Sequence, residues 1–175
     1  LSPADRKITD TINFNKKCII ILAKNMGMRR WEFDDYSGYI DICSEVIRVA
    51  KINSCDVIIK LHPGGGRHML ETYSRLEILL QDHVSILVDE CFEKLLKSAS
   101  VVVAMQETSA LYQAVCAKVP VVFPVFHYSA PYLDNSMMQM LKQCLCSPEN
   151  IGDLSRALSN LISCLSCYIE GVKSQ

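Results

Sequence analysis

The sequence predicts an α/β domain: a doubly wound, Rossmann-like parallel sheet with helices on both faces and a long C-terminal helix. Two observations predict it. Five short runs rich in Val and Ile recur along the chain, and stretches of helical periodicity separate them. Continuous apolar runs of this length are typical of parallel strands that are buried on both faces. Their alternation with helices is typical of βαβ units, whose helices cover the sheet.

Each element has its own signal. Strands are predicted at 18–23, 56–61, 84–89, 100–105 and 120–125. Helices are predicted at 39–53, 68–81, 90–99, 109–118, 130–145 and 147–172. The first helix carries an apolar stripe from Ile40 to Ala50, and the last one begins with a Ser-Pro-Glu start signal at Ser147.

Composition and charge narrow the function classes. The chain has 175 residues, of which 50% are hydrophobic and 21% charged, and this predicts one packed globular domain. A formal net charge of −1 and the lack of a long basic tract argue against a nucleic-acid partner. The apolar runs are too short to span a bilayer, so we expect a cytoplasmic protein, with the inner face of the membrane as a second location.

Cysteine usage fits a reducing compartment. The nine cysteines are odd in number and irregularly spaced, which argues against a disulfide framework. Cys164 and Cys167 have the spacing of a metal or redox pair, but no second such pair and no nearby histidine accompanies them. We therefore expect free thiols, with neither a metal nor a cofactor in this domain.

The chain starts with a polar segment that does not resemble a folded element. Residues 1–16 are expected to be a linker that follows an absent N-terminal half, and residues 17–175 to form a single domain. Peripheral association with a membrane is expected only through that absent half.

Polar residues follow each predicted strand. Right-handed crossovers place all five strand ends on one edge of the sheet, and ligands of such folds bind outside that edge, where the strand order reverses. The candidate residues there are Asn25 and Gly27, His62 with Gly64–Gly66, Asp89 and Glu90, Glu107–Ser109, and His127–Asn135, including Asp134.

Thr108 and Ser109 stand where a strand turns into a helix, and two interpretations are open. A hydroxyl there caps the helix by accepting from a free N–H of its first turn. Alternatively, the free amides and the positive end of the helix dipole bind a phosphate, with the hydroxyls as further donors. His62, directly before Pro63, likewise fits either a ligand contact or a packed turn.

The loop after the last strand also has two interpretations. His127, Asp134 and Asn135 lie where such loops contact the variable part of a ligand, but a surface crossover has the same composition. The glycines after His62 form neither a dinucleotide-binding fingerprint nor a Walker loop. With no triad order and no paired histidines, the residues identify no catalytic base, and the chain is expected to carry half of a site.

Two segments together carry a resemblance to a known family. The strand that ends in "KLHP" and the segment "ASVVVAMQETSALYQAVCAKVPVVFP" resemble the C-terminal, nucleotide-sugar-binding domain of GT-B glycosyltransferases. The resemblance is strongest to bacterial capsule and teichoic-acid enzymes with a Lys-x-His-Pro element. Sialyl- and polysialyltransferases and UDP-sugar 2-epimerases are also similar. The family pattern of two hydroxyl residues, Glu-Ala, Gly-x-Pro and a strand matches this chain in spacing from Thr108 to Pro120.

The resemblance implies roles for particular residues. His62 would contact the donor's phosphate or nucleotide, and Thr108 and Ser109 would hold the phosphate. Gln113, Glu107 and Gly27 are further candidates for phosphate or nucleotide contacts, and the candidates for the donor's sugar side are His127, Asp134 and Asn135. Two positions depart from the pattern. Where the family pattern has a glutamate that binds the ribose hydroxyls, this chain has Gln113, a weaker acceptor. Where the pattern has a glycine at the helix end, this chain has Lys118, which puts the geometry of that helix end in question.

The leading hypothesis is therefore the donor-binding half of a glycosyltransferase that moves a sugar from a nucleotide-sugar to a surface polysaccharide or glycolipid. The acceptor and the catalytic base would belong to the absent half, so this chain alone is expected to be inactive. A UDP-sugar 2-epimerase-like domain is the second hypothesis. A non-catalytic nucleotide-binding or interaction module with a degenerate site is the third, and Gln113 favours it mildly.

Overall fold

The computed structural model describes residues 17–23, 36–62, 83–105, 108–124 and 146–173. The strands are β1 (Cys18–Leu22), β2 (Asp56–Lys60), β3 (Val84–Leu87), β4 (Ala99–Ala104) and β5 (Val121–Val122). The helices are α1 (Tyr36–Ile52), α2 (Phe92–Leu96), α3 (Ser109–Cys116) and α4 (Ile151–Lys173). The helices predicted at 68–81 and 130–145, and the linker at 1–16, lie outside the described residues.

The five strands form one parallel sheet in the order β3-β2-β1-β4-β5. This confirms the predicted α/β fold class. The order reverses between β1 and β4, which are direct neighbours although Cys18 and Ala99 are far apart in sequence. At the β5 edge the ladder is extended by Cys146, whose N–H donates to the Val121 carbonyl at 3.2 Å and whose carbonyl accepts from Phe123 N–H at 2.8 Å.

The central strand β1 shows why these residues form a sheet with two cores. All five of its residues are buried, and alternate side chains point to opposite faces. Ile19 and Ile21 join the core under α1 and α4. Cys18, Ile20 and Leu22 join the core under α2 and α3. Helices therefore cover both faces, as the sequence predicts.

The long helix α4 closes the first of these cores. Leu154, Leu158 and Ile162, spaced four residues apart on one face, are almost completely buried against α1 and β4. The Arg48 Nη2 group of α1 adds a hydrogen bond of 3.0 Å to the Ser155 hydroxyl. The C-terminal helix is thus part of the domain's core.

The start of α4 corrects one sequence-based expectation. The helix begins at Ile151, later than the predicted start at Ser147. Asn150 provides the cap: its Oδ1 accepts from the Asp153 N–H at 2.9 Å, and its Nδ2 donates to the Asp153 carboxylate at 2.7 Å. This reciprocal pair satisfies a first-turn N–H of the helix. Among the described residues, no helix combines the length and apolar character needed to cross a membrane.

Candidate functional site

The reversal of strand order fixes where a ligand would bind. The carboxyl ends of β1 and β4 lie side by side at this point, and in open parallel sheets the helices that follow such strands diverge to opposite faces and leave a crevice. Here α1 follows β1 on one face and α3 follows β4 on the other. Thr108 and Ser109 begin α3 at this crevice, and His62 follows β2, the other neighbour of β1.

Thr108 is the N-cap of α3. Its backbone is extended, with φ −145° and ψ 160°, and its Oγ1 accepts from the Leu111 N–H at 3.4 Å. The capping interpretation of this residue is therefore confirmed. The bond is long, and Ser109 is exposed beside it. The first-turn N–H groups of an α-helix have no partner within the helix, so this end of α3 also has the geometry that binds anions. Phosphate binding itself stays a prediction.

His62 lies at the exposed end of the segment after β2, next to the buried Leu61. The backbone explains the position: Leu61 N–H donates to the Leu87 carbonyl at 2.8 Å, which continues the β2–β3 ladder one residue past the strand. His62 is the first residue beyond that ladder. Its side chain is therefore presented at the carboxyl edge of the sheet, where the sequence predicts it.

Lys60 is a feature of this edge that the sequence-based candidates omitted. Its side chain is only 8% exposed, and its Nζ donates to the Leu61 carbonyl at 2.8 Å and to the Val88 carbonyl at 2.6 Å. Burial lowers the pKa of the ammonium, and the nearby carboxylates of Asp89 and Glu90 act in the opposite direction. These two hydrogen bonds thus connect the segment that follows β3 to the end of β2.

Gln113 is exposed on α3 and has a specific partner. Its Nε2 donates to Glu93 Oε1 of α2 at 3.1 Å. The other carboxylate oxygen, Oε2, accepts from the Cys91 thiol at 2.8 Å. This thiol hydrogen bond is the main reason why the pKa of Glu93 lies below its ordinary value. A carboxylate therefore lies beside the position where the family pattern has one.

The structure shows the backbone geometry at the end of α3, where Lys118 replaces the glycine of the family pattern. Lys118 has φ +59°, the left-handed conformation for which glycine is common. Its N–H donates to the Val115 carbonyl at 3.0 Å, and Val119 N–H donates to the Ala114 carbonyl at 3.1 Å. These two bonds form a Schellman motif. Lys118 therefore adopts a helix-end geometry that glycine accommodates without strain, and a non-glycine residue adopts it at some cost in strain.

Other sequence-based candidates fall outside what can be described. Gly27, Glu107, His127, Asp134 and Asn135 all lie outside the described residues. Cys164 is exposed on α4, and nothing is described for the side chain of Cys167. Within the described part of the chain, no group of three or more His, Cys, Asp or Glu side chains could hold a metal ion.

Comparison with known proteins shows similarity at the level of fold. No known family profile matches the sequence, and no curated protein matches it. Among solved structures, the chain is similar to UDP-GlcNAc 2-epimerase of Methanocaldococcus jannaschii, solved with UDP-GlcNAc and UDP. The TM-score is 0.57 with 16% identity, over 85% of this chain and 40% of that one.

A second similarity is to the spinosyn rhamnosyltransferase SpnG, solved in complex with spinosyn aglycone. The TM-score is 0.52 with 10% identity, over 85% of this chain and 37% of that one. A second structure of SpnG gives a TM-score of 0.50. The chain therefore spans about two fifths of the length of these structures. It has the Rossmann-like α/β fold found in GT-B glycosyltransferases and in a UDP-GlcNAc 2-epimerase.

Proposed function

We propose that this chain is the donor-binding half of a glycosyltransferase, which binds a nucleotide-sugar whose sugar passes to a surface polysaccharide or glycolipid. The observation that carries the proposal is the position of α3. Its N-terminus follows β4, beside β1, where the sheet order reverses. The positive end of a helix at this position attracts the phosphates of a nucleotide. Similarity of fold to a rhamnosyltransferase and to an epimerase solved with UDP-GlcNAc supports this choice of ligand.

In this proposal three described residues of the edge have roles. The first-turn amides of α3, with the Ser109 hydroxyl, hold the phosphate, while Thr108 caps the helix and fixes the direction of those amides. His62 donates to the same phosphate from the other side of β1. When the sugar leaves, these donors stabilise the negative charge that develops on the nucleotide. Acceptor, catalytic base and any membrane contact belong to another domain of the same protein.

The test is a calorimetric titration of the 175-residue chain with CMP, CDP, UDP and GDP. The chain with Thr108→Ala and Ser109→Ala is measured beside the wild type. Saturable binding of one nucleotide, lost in the double variant while its melting curve stays cooperative, would support the proposal and identify the donor class. If none of the four nucleotides bound, this chain would not be a nucleotide-binding unit in its own right, and the proposal would be abandoned.

His62 has a matched control on the same chain. His62→Ala is expected to weaken nucleotide binding by about 1–3 kcal/mol, the typical cost of losing a hydrogen bond to a charged group. His83 stands at the start of β3, at the opposite edge of the sheet, with its Nε2 3.5 Å from the Ile47 carbonyl oxygen. His83→Ala should leave the affinity unchanged. Equal losses in both variants would show that the effect is structural.

A 2-epimerase-like domain is the second candidate, favoured by the similarity to the archaeal epimerase. Such an enzyme needs carboxylates that remove and return the proton at C2 of the sugar. The two candidates differ in a direct assay. Inversion at C2 of a bound nucleotide-sugar, followed by NMR with the full-length protein, would support the epimerase. Transfer of the intact sugar to an acceptor would support the transferase.

A further inference from the structure

The contact between α2 and α3 joins two exposed polar side chains. Gln113 Nε2 donates to Glu93 Oε1 at 3.1 Å, and the Cys91 thiol donates to Glu93 Oε2 at 2.8 Å. Glu93 and Gln113 are twenty residues apart, so the packing of the two helices on the second core brings them together. Surface contacts of this kind often only link two helices. Here the chemistry and the position of the pair indicate a further role.

The hydrogen bonds determine which atoms remain available to a ligand. A carboxylate has about four acceptor sites, of which Gln113 and Cys91 take two. With the amide nitrogen turned to Glu93, the Gln113 Oε1 remains as an acceptor. The pair therefore presents acceptors on both helices, and one of them carries a negative charge. Acceptors of this kind bind hydroxyl groups, and a carboxylate binds them more strongly than an amide.

The pair also lies at a suitable distance from the predicted phosphate site. Gln113 comes four residues after Ser109, so the two lie on the same face of α3, about 6 Å apart along the helix axis. Lys60 holds the carbonyl of Val88 and so anchors the segment that leads to Glu93. If a nucleotide phosphate binds at the start of α3, the hydroxyl groups of its ribose would lie no farther from that phosphate than Gln113 lies from Ser109.

We propose that Glu93, positioned by Gln113, accepts the ribose hydroxyls of the bound nucleotide and so supplies from α2 the carboxylate that α3 lacks. This inference rests on the proposed nucleotide-binding function. In this interpretation Gln113 does not weaken the site, because its amide orients the Glu93 carboxylate. The ligand class is a ribonucleotide. The pair distinguishes a ribonucleotide from a deoxyribonucleotide through the hydroxyl groups of the ribose.

The experiment compares CMP, CDP, UDP and GDP with their 2′-deoxy counterparts by calorimetry. We expect the wild-type chain to bind one ribonucleotide about tenfold or more tightly than its deoxy form, as for a hydrogen bond to a charged acceptor. Glu93→Gln should remove this preference with little change in deoxynucleotide affinity. The exchanged variant, Glu93→Gln with Gln113→Glu, should restore it. Glu45→Gln is the control, because Glu45 is a hydrogen-bonded carboxylate on α1, which covers the opposite face of the sheet.

The outcomes separate this inference from the function on which it rests. If a nucleotide binds but the wild type shows no preference for the ribose form, or Glu93→Gln keeps it, the inference is wrong while nucleotide binding stands. Failure of the exchanged variant to restore the preference would also overturn the carboxylate's role at this contact. If no nucleotide binds at all, the proposed function and this inference are both wrong.

Discussion

Lys118 offers a test of the backbone geometry at the end of α3. It is exposed, has φ +59°, and occupies the left-handed position of the Schellman motif. An L-residue in this conformation brings its Cβ close to the following carbonyl oxygen, which costs about 1–2 kcal/mol. Glycine has no Cβ and avoids this cost. Lys118→Gly should therefore stabilise the folded chain.

The size of the effect follows from two opposing contributions. The relief of strain, about 1–2 kcal/mol, favours the variant. Glycine also increases the conformational freedom of the unfolded chain, which lowers stability by about 0.4–1 kcal/mol. The expected net gain is therefore about 0.5–1 kcal/mol in the free energy of unfolding. For a chain of this length that gain corresponds to an increase of about 1–4 °C in Tm.

Urea denaturation of the wild type, Lys118→Gly and Lys118→Ala measures this gain. Lys118→Ala removes the long side chain but keeps the Cβ, so its stability should remain near that of the wild type. Ser54→Gly is an independent repeat, because Ser54 has φ +54° in a second Schellman motif, where Cys55 N–H donates to the Ala50 carbonyl at 2.9 Å. A loss of stability in both glycine variants, or an equal gain in Lys118→Ala, would refute the strain argument.

Three further predictions concern the α4 cap, a buried thiol and the buried ammonium. Asn150→Ala should lower the free energy of unfolding by about 1 kcal/mol because it removes the N-cap, whereas Asn160→Ala, exposed on the same helix, should not. Burial raises the pKa of the Cys43 thiol to about 12, so iodoacetamide should label exposed Cys91 quickly and Cys43 only on unfolding, as read by mass spectrometry. Because burial lowers the folded-state pKa of Lys60 below its ordinary 10.5, the unfolded state holds more protons between those two values. Stability relative to Lys60→Met should therefore rise with pH in that window of a denaturation series, and a constant difference would contradict the assignment.

The sequence predicts the strands of this fold well because they are continuous apolar runs. Ile19–Ile21 and Val101–Val103 can only be buried on both faces, and the structure buries them completely. Strand order is a different matter. The pairing of β1 with β4 depends on which helices cover which face, and that information is not local in the sequence. The fold class therefore predicts that the strand order reverses at the ligand site, but the sequence does not show which two strands form that reversal.

Parts of the candidate site that depend on packing between distant segments were not predictable. Lys60 ends an apolar strand and resembles a solvated strand end, and only the pairing of β2 with β3 shows that its ammonium is buried on the Val88 carbonyl. The contact between Glu93 and Gln113 likewise needs α2 and α3 to be placed on one core. The cap of α4 was missed for another reason. Asn150-x-x-Asp153 and the Ser-Pro-Glu segment before it are both local start signals, and the sequence does not show which of them caps the helix.

The central position of β1 has a consequence for how the chain acquires its fold. β1 is the first of the described strands along the chain, yet one of its two ladders is made with β4, whose residues follow about eighty positions later. Closing so long a loop costs entropy before its contacts form, and sheets built from such distant pairings fold slowly. During synthesis β1 can pair with β2 early, but its other edge stays open until Ala104 has been made. A nascent chain stopped before β4 would expose an apolar strand edge and should depend on chaperones to remain in solution.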